Sequence, residues 1–223
     1  MLEIGTVITT YNRANFLLEA LVSVINQTVP PSEIIVVDDG GTDNSEAIVS
    51  RFSGVKYVRK ENAGVASARN LGAKFIESGL IAFLDDDDLW LADKLEIQSE
   101  FLLRENLDLA FSHGDEFLED QQNAACAEIR TEIPFISSSN MLVKREAFSR
   151  IGDFDERLRT GGELIDWYAR AKDAGLAIGV CKSSLIKRRV HATNNSSSKT
   201  CDHTKYTMAM KQIIDRRRHA NQK

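Results

Sequence analysis

Leu80-Ile81-Ala82-Phe83-Leu84-Asp85-Asp86-Asp87-Asp88-Leu89-Trp90 is the stretch that decides the fold. Its apolar half, ended by polar residues, reads as a buried strand. The four aspartates then stand at the carboxyl end of that strand, where open α/β sheets gather their ligands. Four adjacent like charges repel one another and bury no apolar surface. A divalent cation, with its preference for hard oxygen ligands, is the simplest way to neutralise them. A solvated acidic turn and a run of caps ahead of a helix from Ala92 are the plainer readings, but four carboxylates exceed what a cap needs.

Upstream of the quartet, strand and helix alternate at short intervals. Ile4 to Thr9 reads as a strand, and Asn12 is placed to cap a helix whose Phe16, Leu17, Ala20, Leu21, Val24 and Ile25 recur at helical spacing. Glu33 to Asp38 is a second strand closed by Asp39-Gly40-Gly41, and Thr42 or Asp43 caps a helix through Phe52. Val55 to Val58 is a third strand, followed by a helix from about Val65 to Ile76. This order implies an α/β protein with a mostly parallel central sheet flanked by helices.

Downstream the pattern loosens. A helix over Ala92 to Arg104, a strand over Leu107 to Ser112, and a polar loop over Glu119 to Glu132 are expected. Met141 to Val143 leads into a short helix ending near Gly152, and a helix over Glu163 to Ala174 stops at Gly175. Two apolar runs follow, Leu176 to Cys181 and Leu185 to Val190, then a polar stretch from Asn194 to Ser198 and a last helix over Thr204 to Arg217.

The 223 residues, 43% hydrophobic and 27% charged, describe a globular chain with one sizeable core. No apolar stretch reaches the roughly 18 residues of a membrane span, and no signal peptide is apparent. Cys126, Cys201 and Cys181 are widely spaced and odd in number, which points to reduced thiols and a cytoplasmic setting. The Asn-x-Ser matches at Asn194 and Asn195 are then accidental. The net charge of −5 is uneven: Lys182 to Lys223 holds 11 basic against 2 acidic residues, a balance of +9, leaving −14 on the preceding residues. A solvated basic helix is the default reading of such a tail. No nucleic acid partner is expected, and no more than peripheral contact with a membrane.

Four motifs stand at strand ends, in order: Thr9-Thr10-Tyr11-Asn12-Arg13, Val37-Asp38-Asp39-Gly40-Gly41-Thr42-Asp43, Asn62-Ala63-Gly64-Val65-Ala66-Ser67-Ala68-Arg69-Asn70, and the aspartate quartet. The first two follow neighbouring strands and so converge on one crevice. Small residues opening a helix, with Arg69 one turn in, suit a phosphate, although a surface arginine on a packing helix fits them equally. Near the other end, Arg188-Arg189-Val190-His191 joins two guanidinium groups to a histidine that is either structural or phosphate-facing.

Taken together, residues 3 to 195 resemble glycosyltransferase family 2, the inverting enzymes of the GT-A fold. The resemblance implies one GT-A domain over residues 1–200, with a nucleotide-binding half to about residue 90, an acceptor half from 91, and a basic helix over 201–223. It implies transfer of a sugar from a nucleoside-diphosphate sugar to an acceptor hydroxyl on a saccharide, lipid-linked carrier or peptide. By resemblance Thr9, Tyr11, Arg13 and Asp39 line the nucleotide pocket and Arg69 serves the diphosphate. Asp85 and Asp86 lie on the donor side, and Asp87 holds Mn²⁺ or Mg²⁺ with His191 close by.

The chain departs from the family at the base. Gly162-Glu163-Leu164-Ile165-Asp166 opens a helix where the family carries a glutamate followed by a catalytic aspartate, and Leu164 takes the aspartate's place. Glu163 and Asp166, at i and i+3 on roughly one face, are the carboxylates left for that role, with Glu163 nearer the crevice. The rival reading is a nucleotide-sugar-binding protein of the same fold that has lost transfer.

Overall fold

The computed structural model describes residues 3–119, 129–158, 162–191 and 203–220. Cys126, Cys201, the polar stretch from Asn194 with its two Asn-x-Ser matches, and most of the expected loop after Glu119 lie outside the described residues.

The amino-terminal half runs β1 (Ile4–Thr10), α1 (Ala14–Ile25), β2 (Glu33–Asp38), α2 (Ser45–Val49), β3 (Val55–Arg59), α3 (Val65–Lys74) and β4 (Leu80–Asp85). It continues through β5 (Asp88–Trp90), α4 (Lys94–Arg104), β6 (Leu109–Leu118), β7 (Ile133–Phe135), a 3₁₀ turn at Ser138–Asn140, and β8 (Leu142–Lys144). The remainder is α5 (Arg145–Ile151), α6 (Gly162–Asp173), β9 (Ile178–Val190) and α7 (His203–Ala220).

One sheet takes the order β3-β2-β1-β4-β8-β6-β9-β5, with β7 paired to β6. It is mixed and mainly parallel. The long ladders β1–β2, β1–β4, β2–β3 and β6–β9 are parallel, whereas β8 enters antiparallel between β4 and β6 through short pairings. Strand alternation sends side chains to two cores. Val7, Ile35, Val37, Ile81 and Phe83 meet α3, α5 and α6 on one face, where Phe148 stacks on Trp167 and Phe154 packs against it at a tilt. Ile8, Val36, Ala82 and Leu84 meet Leu17, Leu21 and Val24 of α1 and Leu95 and Leu102 of α4 on the other. Both faces are covered, which is why the parallel strands read as continuous apolar runs.

Several expectations change. Asn12 does not cap α1: it adopts a positive φ of 53° and its Oδ1 accepts from Thr42 N at 2.7 Å. Asp43 does the capping from across the crevice, accepting from Ala14 N at 2.8 Å and from Ser45 N at 3.1 Å. The quartet is not all turn, since Asp88 opens β5 and pairs with Arg188. The apolar runs around Cys181 and Leu185 belong to the single strand β9, whose pairing with β6 shifts register near His113. Arg188 and Arg189 are therefore strand residues rather than loop residues. The basic helix α7 docks on α6 through buried Ala209 and Ile213, with Arg217 reaching Asp173 at 2.9 Å, while Lys211 and Arg218 stay exposed. Among the described residues, no helix is long and apolar enough to cross a membrane.

Candidate active site

The carboxyl ends of β1, β2 and β4 lie side by side, as their registers require, with Thr10 opposite Asp38 and Thr9 opposite Asp85. Asp39 N donates to Thr10 O at 2.9 Å, which continues the β1–β2 contact past the strand ends. Asp39 itself is built into the entry to α3. Its Oδ1 accepts from Lys60 Nζ at 2.8 Å and Ala63 N at 3.0 Å, and its Oδ2 accepts from Gly64 N at 2.7 Å. Gly64 has a φ of 97°, a turn conformation that suits glycine. Tyr11 stands at the rim, half exposed.

The quartet divides its labour. Asp85 Oδ1 accepts from Thr9 Oγ1 at 3.2 Å and from Arg69 Nη2 at 2.5 Å, while its backbone N donates to Ser139 Oγ. Burial alone would raise the Asp85 pKa, but the Arg69 charge and hydrogen bonds outweigh it and hold the carboxyl below its ordinary value. Asp86 Oδ2 accepts from Thr10 Oγ1 at 2.7 Å. Burial pushes Asp86 up to about 7; Arg13 opposes that rise and Asp87 adds to it. Asp88 is driven well above its usual range, by burial first and then by Asp87 and Asp85.

Asp87 is more open than Asp86 but less so than Asp85, with side-chain exposures of 15%, 5% and 30%. Its Oδ2 lies 3.1 Å from His191 Nε2 and 2.8 Å from Arg13 Nη1. His191 follows β9 directly, and its ring packs 5.1 Å from that of Phe16 in α1. Arg189 braces this corner between the rings of Phe16 and Phe117. Its backbone N donates to Asp88 Oδ1 and its Nη2 to Glu19. Arg188 reaches Glu116, which also holds Arg130.

On the opposite side, Glu163 stands in the first turn of α6, buried, with Oε1 accepting from Arg69 Nη1 at 2.9 Å and Oε2 without a hydrogen-bond partner among the described residues. Arg69 thus spans Asp85 and Glu163. Asp166 is committed elsewhere. Its two oxygens accept from Arg170 Nε at 2.8 Å and Arg216 Nη1 at 2.9 Å, and it lines a separate cavity of about 470 Å³ between α6 and α7. Leu164 points into the apolar core with Phe148 and Trp167.

Thr10 and Ser139 join the site without having been foreseen. Thr10 was legible as the neighbour of Thr9, but a serine in a loop carries no signal. Ser139 reaches Asp85 from 54 residues away, and its carbonyl accepts from Trp90 Nε1 at 2.8 Å.

A mixed sheet with carboxylates, arginine and histidine converging at the carboxyl ends of its parallel strands defines a GT-A-type domain. In agreement, the S. aureus TarS fragment 1–349, crystallised in complex with UDP-GlcNAc, superposes with a TM-score of 0.79 at 18% identity, covering 95% of this chain and 65% of that one. The profile of Glycosyl transferase family 2 matches residues 6–152, and the chain belongs to that family. An uncharacterized glycosyltransferase of Rickettsia conorii is 46% identical over 114 residues, half of this chain and 18% of that protein. WfgD of Escherichia coli, a UDP-Glc:alpha-D-GlcNAc-diphosphoundecaprenol beta-1,3-glucosyltransferase, is 36% identical over 115 residues, half of this chain and 45% of that protein. The match thus spans less than half the length of either relative.

Proposed function

We propose that this chain transfers a sugar, with inversion, from a uridine-diphosphate sugar to an acceptor hydroxyl, assisted by Mn²⁺ or Mg²⁺. The observation that carries the reading is Arg69, whose guanidinium joins Asp85 on the donor side to Glu163 on the acceptor side. The uridine nucleotide is inferred from the donor named for WfgD and the ligand named for TarS. Thr9, Tyr11 and Asp39 would line the nucleotide, with Asp85 and Asp86 beneath the ribose and diphosphate.

The residues present fit a divalent cation. Asp87 Oδ2 and His191 Nε2 converge to within 3.1 Å, a hard oxygen and an imidazole that suit Mn²⁺. Among the described residues no set of three or more His, Cys, Asp or Glu side chains forms a cage. Two side-chain ligands suit an ion shared with substrate phosphates. When bound, the ion would neutralise the departing diphosphate as a Lewis acid. Glu163 is assigned the base role, because its Oε2 is buried and, among the described residues, unpartnered. An acceptor hydroxyl donating to that oxygen at about 3 Å would lose its proton there as the new bond forms. Asp166, with both oxygens on arginines, is left to anchor α7.

A second reading has one observation in its favour. Leu164 is turned into the core, so the family's aspartate has no replacement at its own position, and Glu163 is held by Arg69. On that reading the chain binds a nucleotide sugar without transferring it. Calorimetry of UDP-glucose and UDP-GlcNAc with and without Mn²⁺, for wild type and Asp87→Ala, tests the shared part. Metal-dependent binding lost in the variant supports the site; equal affinity in both proteins overturns the role of Asp87. Release of UDP in the presence of saccharide and polyprenyl-diphosphate-sugar acceptors then separates transfer from binding alone.

A further inference from the structure

We infer that Arg13 is a built-in counter-cation of the metal site, one that a divalent ion displaces and that the donor diphosphate draws away. The inference rests on the metal reading of Asp87 proposed above. Arg13 Nη1 lies 2.8 Å from Asp87 Oδ2, the same oxygen that lies 3.1 Å from His191 Nε2. A second contact, 3.3 Å to Asp86 Oδ1, sets the guanidinium across both carboxylates.

A cation and a guanidinium on that one oxygen repel each other. Mg²⁺ binds oxygen at roughly 2.0–2.1 Å, which would put the ion close to a second positive charge. Displacing one of the two relieves that repulsion. The Asp86 and Asp87 side chains are 5% and 15% exposed, whereas that of Arg13 is 26% exposed, so Arg13 is the group with room to move. It sits at the amino-terminal boundary of α1, beside the left-handed Asn12.

A diphosphate offers the displaced guanidinium a partner of equal sign and higher charge than one carboxylate. Metal alone breaks the Arg13 ion pairs without replacing them. Metal arriving with a diphosphate breaks the same pairs and replaces them. The two ligands therefore help each other, and linkage makes the help reciprocal. Arg13 thereby ties metal loading to the presence of donor.

The test is titration of Mn²⁺ into the full chain, followed by the loss of the free-ion electron paramagnetic resonance signal, alone and with saturating UDP or inorganic pyrophosphate. Wild type should bind Mn²⁺ weakly alone and more tightly with either diphosphate. Arg13→Gln should bind Mn²⁺ alone about fivefold or more tighter than wild type, and gain less from diphosphate, within the usual range of such couplings. Arg13→Lys, which keeps the charge, should behave like wild type. If Arg13→Gln does not fold, Arg13→Met keeps most of the stem and must shift Mn²⁺ affinity in the same direction. Unchanged or weaker Mn²⁺ binding by the neutral variants, with diphosphate-dependent binding retained in wild type, overturns the role of Arg13 alone. Absence of Mn²⁺ binding in every protein, with or without diphosphate, overturns the metal reading and this inference together.

Discussion

Arg69 Nη1 lies 2.9 Å from Glu163 Oε1 across 94 residues of sequence, and the other end of the same guanidinium holds Asp85. The arginine is fully enclosed, flanked by one carboxylate from each half of the site. Charge on Asp85 and Glu163 raises its pKa against the lowering effect of burial, so it remains an arginine cation. Its first duty is to fix two carboxylates in place.

Arg69→Ala should therefore unfold more easily as well as bind donor poorly. Removing one partner from a buried ion pair leaves the others uncompensated and typically costs about 3–5 kcal/mol. Urea denaturation of the variant should show a midpoint well below that of wild type. A variant of wild-type stability that merely lost affinity for the diphosphate would place Arg69 at the phosphate and not beneath it.

Glu163→Gln is the milder cut, since glutamine keeps the size of the side chain. Donor affinity should change little, and kcat should fall by roughly 10²-fold or more if Oε2 takes the acceptor proton. Asp166→Asn should behave differently. It weakens the ion pairs to Arg170 and Arg216, so the expected effect is a lower melting temperature with kcat largely kept. Full turnover by Glu163→Gln would remove it as the base.

Leu164→Asp looks from sequence like a repair of the family pattern, and the fold predicts the opposite. Leu164 belongs to the cluster of Phe148, Trp167 and Ala171, so an aspartate there would bury a carboxylate among apolar groups. Unpaired, such a group costs several kcal/mol or stays protonated. The variant should be markedly destabilised and no more active; a stable and faster enzyme would show that α6 rotates to present position 164 to the crevice.

The parallel half of the sheet was legible because its cues are local. Ile35 to Val37 and Ile81 to Leu84 are unbroken apolar runs, each closed by acidic or glycine turns, and strands covered on both faces must read that way. The resemblance motifs then fell at the ends of those strands. What stayed hidden was set by distant partners. The three-residue strands β5 and β7 exist because β9 and β6 offer them an edge, and three residues carry no periodicity. The two apolar runs of β9 looked separate because Lys182, Ser183 and Ser184 interrupt them near its irregular pairing with β6. The candidate site residues were named from the family resemblance of their motifs, which says nothing of their pairings. Nothing local in Glu-Leu-Ile-Asp says that Glu163 meets Arg69 while Asp166 meets Arg216.

The last prediction concerns Lys94, which is wholly buried under the second core. Its Nζ donates to Gln98 Oε1 at 2.6 Å and lies 4.2 Å from the centre of the Trp90 ring. Gln98 Nε2 in turn donates to Ala110 O at 2.9 Å and Asn140 O at 2.8 Å, beside the turn that carries Ser139. Burial pushes the Lys94 ammonium down to about 7 from an ordinary value of 10.5. Between those two values the folded chain binds fewer protons here than the unfolded chain. Stability therefore rises with pH across that window, by up to about 1.4 kcal/mol per unit from this group. Lys94→Met removes the titration, and leaves Gln98 Oε1 without its donor at every pH, a constant cost of about 1–3 kcal/mol. The difference in unfolding free energy, wild type minus variant, should accordingly grow in favour of wild type from pH 7 to pH 10. Urea unfolding of both proteins at pH 7, 8.5 and 10 measures it. Parallel stability profiles would mean that Lys94 keeps its proton in the core, held by Gln98 and the face of Trp90.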